Sequence, residues 1–399
     1  MKCAVIGGGA AGLMAGCALA RGGAEVVVIE RQNRVGKKLL ATGNGRCNFT
    51  NMNMDSSHYH GSFCGMDAFL ARFTPERIMA EFDEMGVPGV ADAQGRVYPA
   101  SNAASSVLDA LRLTLSERGG RELTGFDVAS VKPEKGGFTL LGADGKTERC
   151  HKLLVACGGA AAPKQGGVDG GYRLLKELGH DIVPVKPVIA PLNTDTAPIK
   201  GLKGMRARCT ARLQDGECEV RAESGEVMFA DYGLSGICIM QLARDVHMLR
   251  RPVVSLDLAD GFEEADMFAR ARALERRPLE DFLNGLVQRR LGFSVLRAAG
   301  ITDMSRQTSS LSRKETSAIW RALRDFRVAV KGVCTLDSAQ ATAGGAHMSG
   351  FDGTTLMSKL VPGLFAAGEV CDVDGDCGGY NLHWAWSSAL AAAEAMLSL

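Results

Sequence analysis

Residues 2–30 read KCAVIGGGAAGLMAGCALARGGAEVVVIE and place a glycine-rich turn and a run of small and apolar residues between two apolar runs. Residues 4–6 predict a short strand, the residues up to 21 predict a helix, and residues 26–29 predict a second strand. Strands of a buried parallel sheet are apolar along their whole length, as these two are. Residues 2–30 therefore predict a βαβ unit of an α/β fold.

The glycines of this turn have the spacing Gly7-x-Gly9-x-x-Gly12. The first permits a tight turn, the second lets backbone amides approach a pyrophosphate, and the third lets the helix pack closely on the strand. Glu30 ends the second strand, where its carboxylate can accept hydrogen bonds from an adenosine ribose. Glycine spacing alone is weak evidence, but together with strand, helix, strand and acid it predicts a dinucleotide site, without deciding between FAD and NAD.

A glycine-rich stretch near the other end of the chain separates these two cofactors. Residues 364–369 read LFAAGE, an apolar strand that closes on Gly-Glu, and further glycines precede a helix that begins near Asn381. In glutathione-reductase-like flavoproteins a late strand ends in this way beside the ribityl chain. The positive end of the following helix stabilises the anion of reduced flavin, which an enzyme that binds only NAD does not need. The two ends of the chain together predict FAD.

The middle of the chain alternates between two kinds of pattern. Residues 125–150 predict hairpins, residues 153–156 predict another buried parallel strand, and Gly158 and Gly159 follow that strand. These glycines can let the backbone pass close to a cofactor, and the backbone of Val128 can pair with an adenine edge. Simple sheet packing explains both features equally well.

Four longer stretches resemble a family of bacterial flavoproteins: GKKLLATGNGRCN at 36–48, YGLSG at 232–236, GEVCDVDG at 368–375 and GGYNLHWAW at 378–386. Its members are usually described as NAD(P)/FAD-dependent oxidoreductases, and they include aminoacetone-oxidase-like and bile-acid 7-dehydroxylation-associated proteins. The resemblance spans nearly the whole chain. It implies that the following residues line the flavin or its phosphates: Lys38, Thr42, Gly43, Asn44 and Asn48.

The resemblance also implies an α/β fold in which a Rossmann-type, glutathione-reductase-like FAD-binding domain carries an inserted β-barrel-like domain with its own helical insert. The expected FAD-binding domain is residues 1–190 and 335–399. The barrel-like substrate domain is expected at 191–260 and 328–350, overlapping the first near 335–350, and the helical insert at 261–327. That order agrees with the strand-like pattern of residues 192–258 and the helical pattern of residues 262–327.

The chain departs from the family pattern at three positions. Ala230 stands where Thr is expected, Ile237 where Pro is expected, and Ala346 where Val is expected. We place these changes on the substrate side, so the resemblance does not carry over a substrate. The complete set of residues expected to bind the cofactor is Gly7, Gly9, Ala11, Gly12, Glu30, Arg31, Lys38, Thr42, Gly43, Asn44, Asn48, Val128, Gly158, Gly159, Gly368, Glu369, Gly379 and Asn381.

Catalytic residues are less well defined than cofactor contacts. His383, Tyr232 and His347 are polar groups in glycine-rich settings and are weak candidates for proton donors or acceptors. A flavin–disulfide relay is not expected, because the stretch after Glu30 contains Cys47 and no second cysteine near it. Packing is the favoured role of Cys47, and no metal site is predicted.

We expect an FAD-dependent oxidoreductase that transfers hydride between flavin and a small amine, keto or enone compound. No second glycine fingerprint follows in the middle of the chain, so NAD(P)H is left open as a transient co-substrate. Two alternatives remain. The excess of thirteen basic over nine acidic residues in residues 262–327 suggests a tRNA-modifying flavoprotein, although aromatic residues between the cations are lacking. The other alternative is a non-catalytic flavin-binding regulatory protein.

Bulk composition fits an enzyme and disfavours other classes. The formal net charge of +1 gives no sign of a nucleic-acid or membrane-surface protein. The twelve cysteines are scattered and include no C-x-x-C pair, which indicates reduced thiols and not a disulfide framework or a zinc site. We expect a cytoplasmic protein without a membrane span, and either a monomer or a homodimer.

Overall fold

The computed structural model describes residues 1–398, and the chain divides into two compact units. The first unit contains Met1–Lys186 and the residues from Gln340 onwards, and the second contains Pro187–Ala339. Both glycine-rich turns belong to the first unit.

The first unit is a mixture of strands and helices. Its strands are β1 (Lys2–Ile6), β2 (Glu25–Glu30), β3 (Thr50–Asn51), β4 (Tyr59–Gly61), β5 (Gly89–Ala91), β6 (Arg96–Pro99), β7 (Arg121–Thr124), β8 (Val128–Glu134), β9 (Gly137–Gly142), β10 (Thr147–Cys150), β11 (Lys152–Val155), β12 (Ile182–Val188), whose end belongs to the second unit, β19 (Ala341–Ala346), β20 (Leu364–Ala366) and β21 (Val373–Gly375). Its helices are α1 (Ala10–Arg21), α2 (Lys37–Ala41), α3 (Met66–Arg72), α4 (Pro75–Glu84), α5 (Ala104–Glu117), α6 (Gly170–Glu177) and α12 (Tyr380–Ser398).

A parallel sheet in the order β20-β11-β1-β2-β7 forms the centre of this unit. The strands predicted from both ends of the sequence meet on β11, which pairs with β1 on one side and with β20 on the other. Their side chains are buried because helices cover the sheet, and α1 packs against both α5 and α12. This arrangement confirms the Rossmann-type α/β fold.

The chain from Met66 to Glu84 forms two helices, α3 and α4, with a break between Arg72 and Pro75. The Thr74 hydroxyl accepts a hydrogen bond from the amide of Arg77 at 3.3 Å, and Pro75 occupies the first turn of α4. Proline at this position favours a helix start, so the chain begins a new helix there.

The second unit contains a closed antiparallel barrel, which confirms the β-barrel-like part of the predicted fold. Its strands are β13 (Leu192–Thr194), β14 (Arg206–Asp215), β15 (Cys218–Ala230), β16 (Gly233–Ser235), β17 (Pro252–Asp257) and β18 (Phe326–Val333). They close in the order β13-β16-β15-β14-β17-β18. Two short helices, α7 (Ile237–Met240) and α8 (Ala243–Val246), follow β16.

Between β17 and β18 the chain forms α9 (Glu264–Ala273), α10 (Arg289–Ala298) and α11 (Arg313–Arg324). α11 packs against both of the others. The prediction of helices throughout residues 262–327 is therefore only partly correct. Long connections separate these helices, and β18 already begins at Phe326.

Candidate functional site

In the first glycine turn, two glycines lie in close contact with backbone atoms and a third has open space beside it. A Cβ atom on Gly7 would lie 2.3 Å from the carbonyl oxygen of Ala156, and one on Gly12 would lie 1.8 Å from the carbonyl oxygen of Gly7. Gly9, the N-cap of α1, has no atom within 4 Å of that position. The turn therefore packs tightly on β11, while the N-terminus of α1 stays open to a ligand.

Glu30, at the end of β2, stabilises this turn through hydrogen bonds. Its carboxylate accepts hydrogen bonds from the amide of Gly8 at 3.0 Å and from the amide of Gln32 at 2.8 Å. Arg31 is exposed beside it. The acid predicted for the adenosine ribose is thus held at the rim of the turn by backbone donors.

The second glycine turn lies directly against α1. A Cβ atom on Gly368 would approach the Cβ of Ala11 to 2.9 Å. Gly368 is anchored from α12, because its amide donates to the Ser388 hydroxyl at 2.9 Å and its carbonyl accepts from the Trp384 indole at 3.1 Å. The two cofactor turns, more than three hundred residues apart in the chain, are therefore neighbours in space.

Glu369 receives donors from two separate elements. The ammonium of Lys38, on α2, lies 2.7 Å from Oε2, and Thr342, on β19, donates to Oε1 from its amide at 3.0 Å and its hydroxyl at 3.1 Å. A Cβ atom on Gly159 would lie 2.2 Å from the Thr342 hydroxyl and 2.6 Å from Oε1, so a larger residue there would displace these side chains. Gly158 adopts φ +71° with no atom near its Cβ position. Thr342 was not predicted from the sequence, since no spacing relates it to Glu369.

The loop after α2 turns sharply around several left-handed residues. Gly43, Asn44 and Cys47 have φ of 57°, 56° and 60°, and the Thr42 hydroxyl donates to the carbonyl of Leu39 at 2.6 Å. Asn48 follows them; it is 9% exposed, and its Oδ1 is buried without a hydrogen-bond partner. A buried polar atom without a partner is costly, which suggests that a bound group completes it.

That unpartnered oxygen lies beside the N-terminus of α12. It is 2.9 Å from the position of a Cβ on Gly379, where such an atom would also meet the carbonyl oxygen of Thr50 at 2.5 Å. The first residues of this helix carry amides without intrahelical partners and a partial positive charge. Asn48 Oδ1 can accept a hydrogen bond from a planar group, and the amides at the helix N-terminus can donate hydrogen bonds to the same group.

Asn381 and Val128, two further residues predicted to contact the cofactor, also bind within the protein. The side chain of Asn381 binds its own loop, since Oδ1 accepts from the Gly375 amide at 2.9 Å and Nδ2 donates to the Gly375 carbonyl at 2.7 Å. It fixes the turn and does not point to a ligand. Val128 is a buried residue of β8 paired with Gly142, and it follows Phe126, whose amide donates to the carbonyl of Glu30 at 3.1 Å.

Cys47 is completely buried, and burial raises the pKa of its thiol to about 12. A thiol in such surroundings is not ionised near neutral pH and is a poor nucleophile. Packing, together with its left-handed backbone, accounts for Cys47.

His383 does not fit the role of a proton donor. Its side chain is 0% exposed, its Nδ1 lies 2.8 Å from the Thr50 hydroxyl, and its Nε2 lies 2.8 Å from the Phe73 carbonyl oxygen. Burial lowers the pKa of the imidazole to about 4. Both ring nitrogens join α12 to the rest of the first unit, which favours a structural role for His383 over the weak catalytic prediction.

This buried imidazole makes stability depend on pH. Its pKa of about 4 in the folded state lies below the ordinary value of 6.5, so the unfolded chain binds a proton that the folded chain does not. The free energy of unfolding should fall by on the order of 3 kcal/mol between about pH 6.5 and about pH 4. Burial also lowers the pKa of His180, which acts in the same direction.

Urea unfolding of the wild type and of His383→Asn at about pH 7 and about pH 4.5 tests this dependence. The variant should be less stable at the higher pH but lose less stability on acidification. Equal losses in the two proteins would contradict the assignment.

The other two catalytic candidates lie in different units. His347, in the first unit, has its Nδ1 2.8 Å from the Ser349 hydroxyl and accepts from the Ser349 amide at 3.2 Å. Tyr232, in the second unit, is exposed next to β16, and partial burial raises the pKa of its phenol. Their roles stay predictions. Among residues 1–398, no group of three or more His, Cys, Asp or Glu is arranged to hold a metal ion.

A glycine turn at the first βαβ unit, joined to the Gly-Glu turn that follows β20 of the parallel sheet, defines a Rossmann-type flavin-binding oxidoreductase. The chain belongs to the family described as HI0933-like protein Rossmann domain, whose model matches residues 1–395. None of the helices formed by residues 1–398 is long and apolar enough to cross a membrane.

Similar proteins cover the whole chain. A 3-dehydro-bile acid delta(4,6)-reductase of Clostridium scindens is 32% identical over 98% of each chain. A ribosomal RNA dihydrouridine synthase of Escherichia coli is 28% identical over 99% of this chain and 97% of its own. The solved 3-ketosteroid delta1-dehydrogenase of Sterolibacterium denitrificans, in complex with 1,4-androstadiene-3,17-dione, covers 99% of each chain with a TM-score of 0.55 at 11% identity, and so supports the fold alone.

Proposed function

We propose that this protein is an FAD-dependent reductase of carbon–carbon double bonds conjugated to a carbonyl group. The contact between Gly368 and Ala11 carries the flavin part of the proposal, because it joins both predicted cofactor turns into one site. The substrate part is supported by two relatives. A delta(4,6)-reductase acting on a 3-dehydro bile acid and a dihydrouridine synthase both reduce a double bond conjugated to a carbonyl group.

The residues of the first unit fit the parts of FAD. The open N-terminus of α1 at Gly9 would receive the pyrophosphate, and Glu30 would bind the adenosine ribose. Glu369, charged and paired with Lys38, would accept hydrogen bonds from the ribityl chain. Asn48 and the N-terminus of α12 would hold the pyrimidine edge of the ring. When bound, FAD supplies the hydride.

An RNA substrate is the second candidate. Uracil contains the same conjugated double bond, and a relative of 28% identity is named for that reaction in ribosomal RNA. On the helices between β17 and β18, Arg290, Arg297 and Lys314 are exposed, and no ion pair to them occurs within residues 1–398. Unpaired cations of this kind favour binding to phosphates.

Stopped-flow absorbance of the purified holoenzyme tests the proposal. Anaerobic NADH or NADPH should bleach the yellow flavin, and 4-androstene-3,17-dione should then restore its colour while the saturated diketone should not. Restoration by a uridine-containing ribosomal RNA fragment alone would favour the second candidate. Colourless protein that does not take up FAD, or a flavin that neither substrate class reoxidises, would contradict the proposal. We also propose that NAD(P)H is the electron donor and that the protein is cytoplasmic.

A further inference from the structure

Two histidines and an aspartate form a cluster beside the N-terminus of α12. His58 Nδ1 lies 3.1 Å from Asp376 Oδ2, and His60 Nε2 lies 3.5 Å from Asp376 Oδ1. β4, which carries His60, pairs antiparallel with β21, and Asp376 follows β21 directly. The amide of Asp376 also donates to the carbonyl of His58 at 2.9 Å, so backbone bonds as well as side chains join the two segments.

The cluster is fixed against the first residue of α12. The ring of His58 stacks on that of Tyr380 with 4.2 Å between centroids and 22° between planes. Tyr380 itself is held at both ends, because its hydroxyl donates to the Asn53 carbonyl at 3.2 Å and its own carbonyl accepts from the Tyr59 hydroxyl at 3.0 Å. His58 therefore has a defined position at the helix end that, by the proposed function, receives the pyrimidine edge of the flavin.

His58 differs from His383 in being accessible. The side chain of His58 is 35% exposed, whereas that of Asp376 is only 14% exposed. A carboxylate bonded to Nδ1 sets the orientation of the ring and leaves Nε2 as the nitrogen that can meet a ligand. Because backbone bonds already join the two segments, the side-chain pair is not needed to hold the loop.

We propose that His58, oriented by Asp376, donates the proton that completes reduction of the conjugated double bond. This role rests on the proposed function. His58 is then a catalytic residue, and Asp376 is a positioning residue.

The step balances in atoms and electrons. The β-carbon of the substrate takes a hydride from reduced FAD, which is left oxidised, and the electron pair of the double bond moves to the α-carbon as an enolate. The Nε2–H bond of His58 breaks, and a C–H bond forms at the α-carbon with that electron pair. The neutral imidazole regains a proton from water, and NAD(P)H reduces the flavin again.

The holoenzymes of His58→Gln, Asp376→Asn and the control His60→Gln separate this role from a structural one. In each, FAD content, anaerobic bleaching by NADH and binding of 4-androstene-3,17-dione to the oxidised enzyme should stay within about threefold of the wild type, since none of these needs a proton at the α-carbon. Single-turnover reoxidation by the enone should slow about 100-fold in His58→Gln and about tenfold in Asp376→Asn. His60→Gln should leave it nearly unchanged, and imidazole should partly restore His58→Ala.

The outcomes distinguish the two levels of the proposal. Reoxidation of His58→Gln at the wild-type rate, with the wild type active, would overturn the donor role alone. A threefold or larger loss of enone binding that accounts for the whole decrease in rate would likewise overturn it in favour of a structural role. A wild-type flavin that no conjugated carbonyl compound reoxidises would overturn the proposed function and the donor role with it.

Discussion

Replacing Gly12 with alanine should destabilise the first unit by roughly 3 kcal/mol or more, because the new methyl group cannot be accommodated. Its Cβ would lie 1.8 Å from the carbonyl oxygen of Gly7 and 3.3 Å from the side chain of Val5. Backbone atoms cannot move aside as a flexible side chain can, so α1 would have to separate from β1. Urea unfolding followed by circular dichroism measures this change, and little FAD should remain bound.

Gly9→Ala is the matched control in the same turn. Position 9 has φ −88°, which alanine adopts readily, and no atom lies within 4 Å of the added Cβ. The variant should fold like the wild type but bind FAD at least about tenfold more weakly, a loss of about 1.4 kcal/mol, because the methyl group occupies the space over the helix N-terminus. A stable Gly12→Ala protein with wild-type FAD affinity would contradict the close approach.

Replacing Glu369 with glutamine should weaken FAD binding by about 10- to 100-fold, the range that corresponds to one hydrogen bond to a charged group. The amide keeps an oxygen for the Thr342 donors but loses the charge that Lys38 faces across 2.7 Å. Titration of the apoprotein with FAD, followed by quenching of flavin fluorescence, gives the dissociation constant.

Lys38→Met is the control for this prediction. It removes the cation while both Thr342 donors still hold the carboxylate, so FAD affinity should fall less than in Glu369→Gln. If Glu369→Gln binds FAD as tightly as the wild type, Glu369 is not a ribityl contact, and the assignment of this turn to the cofactor has to be abandoned.

The pairing of Glu369 shows why parts of the site could not be predicted. The sequence marks this glutamate clearly, because it ends an apolar strand after a glycine. Its donors come from Lys38, 331 residues earlier in the chain, and from Thr342 on β19. Which donor meets a carboxylate across such a separation depends on how the helices and strands pack, and no local pattern records it.

The histidines show that prominence in the sequence does not indicate accessibility in the structure. His383 stands in a conspicuous glycine-rich setting, yet it is buried with both ring nitrogens bonded. His58 attracted no attention in the sequence, because its carboxylate partner Asp376 lies 318 residues away. Burial and the choice of hydrogen-bond partner are properties of the packed structure, so residue type and neighbouring residues in the sequence do not reveal them.

The sequence by itself indicated the βαβ unit and the two glycine turns, because apolar periodicity and glycine positions act over a few residues, and the family resemblance implied the inserted barrel and its helical segment. Only the tertiary structure decided that Gly368 lies against Ala11, that Asn48 faces the start of α12, and that His58 and not His383 is accessible. Those facts depend on contacts between distant segments, where packing and the pairing of buried polar groups select the partners.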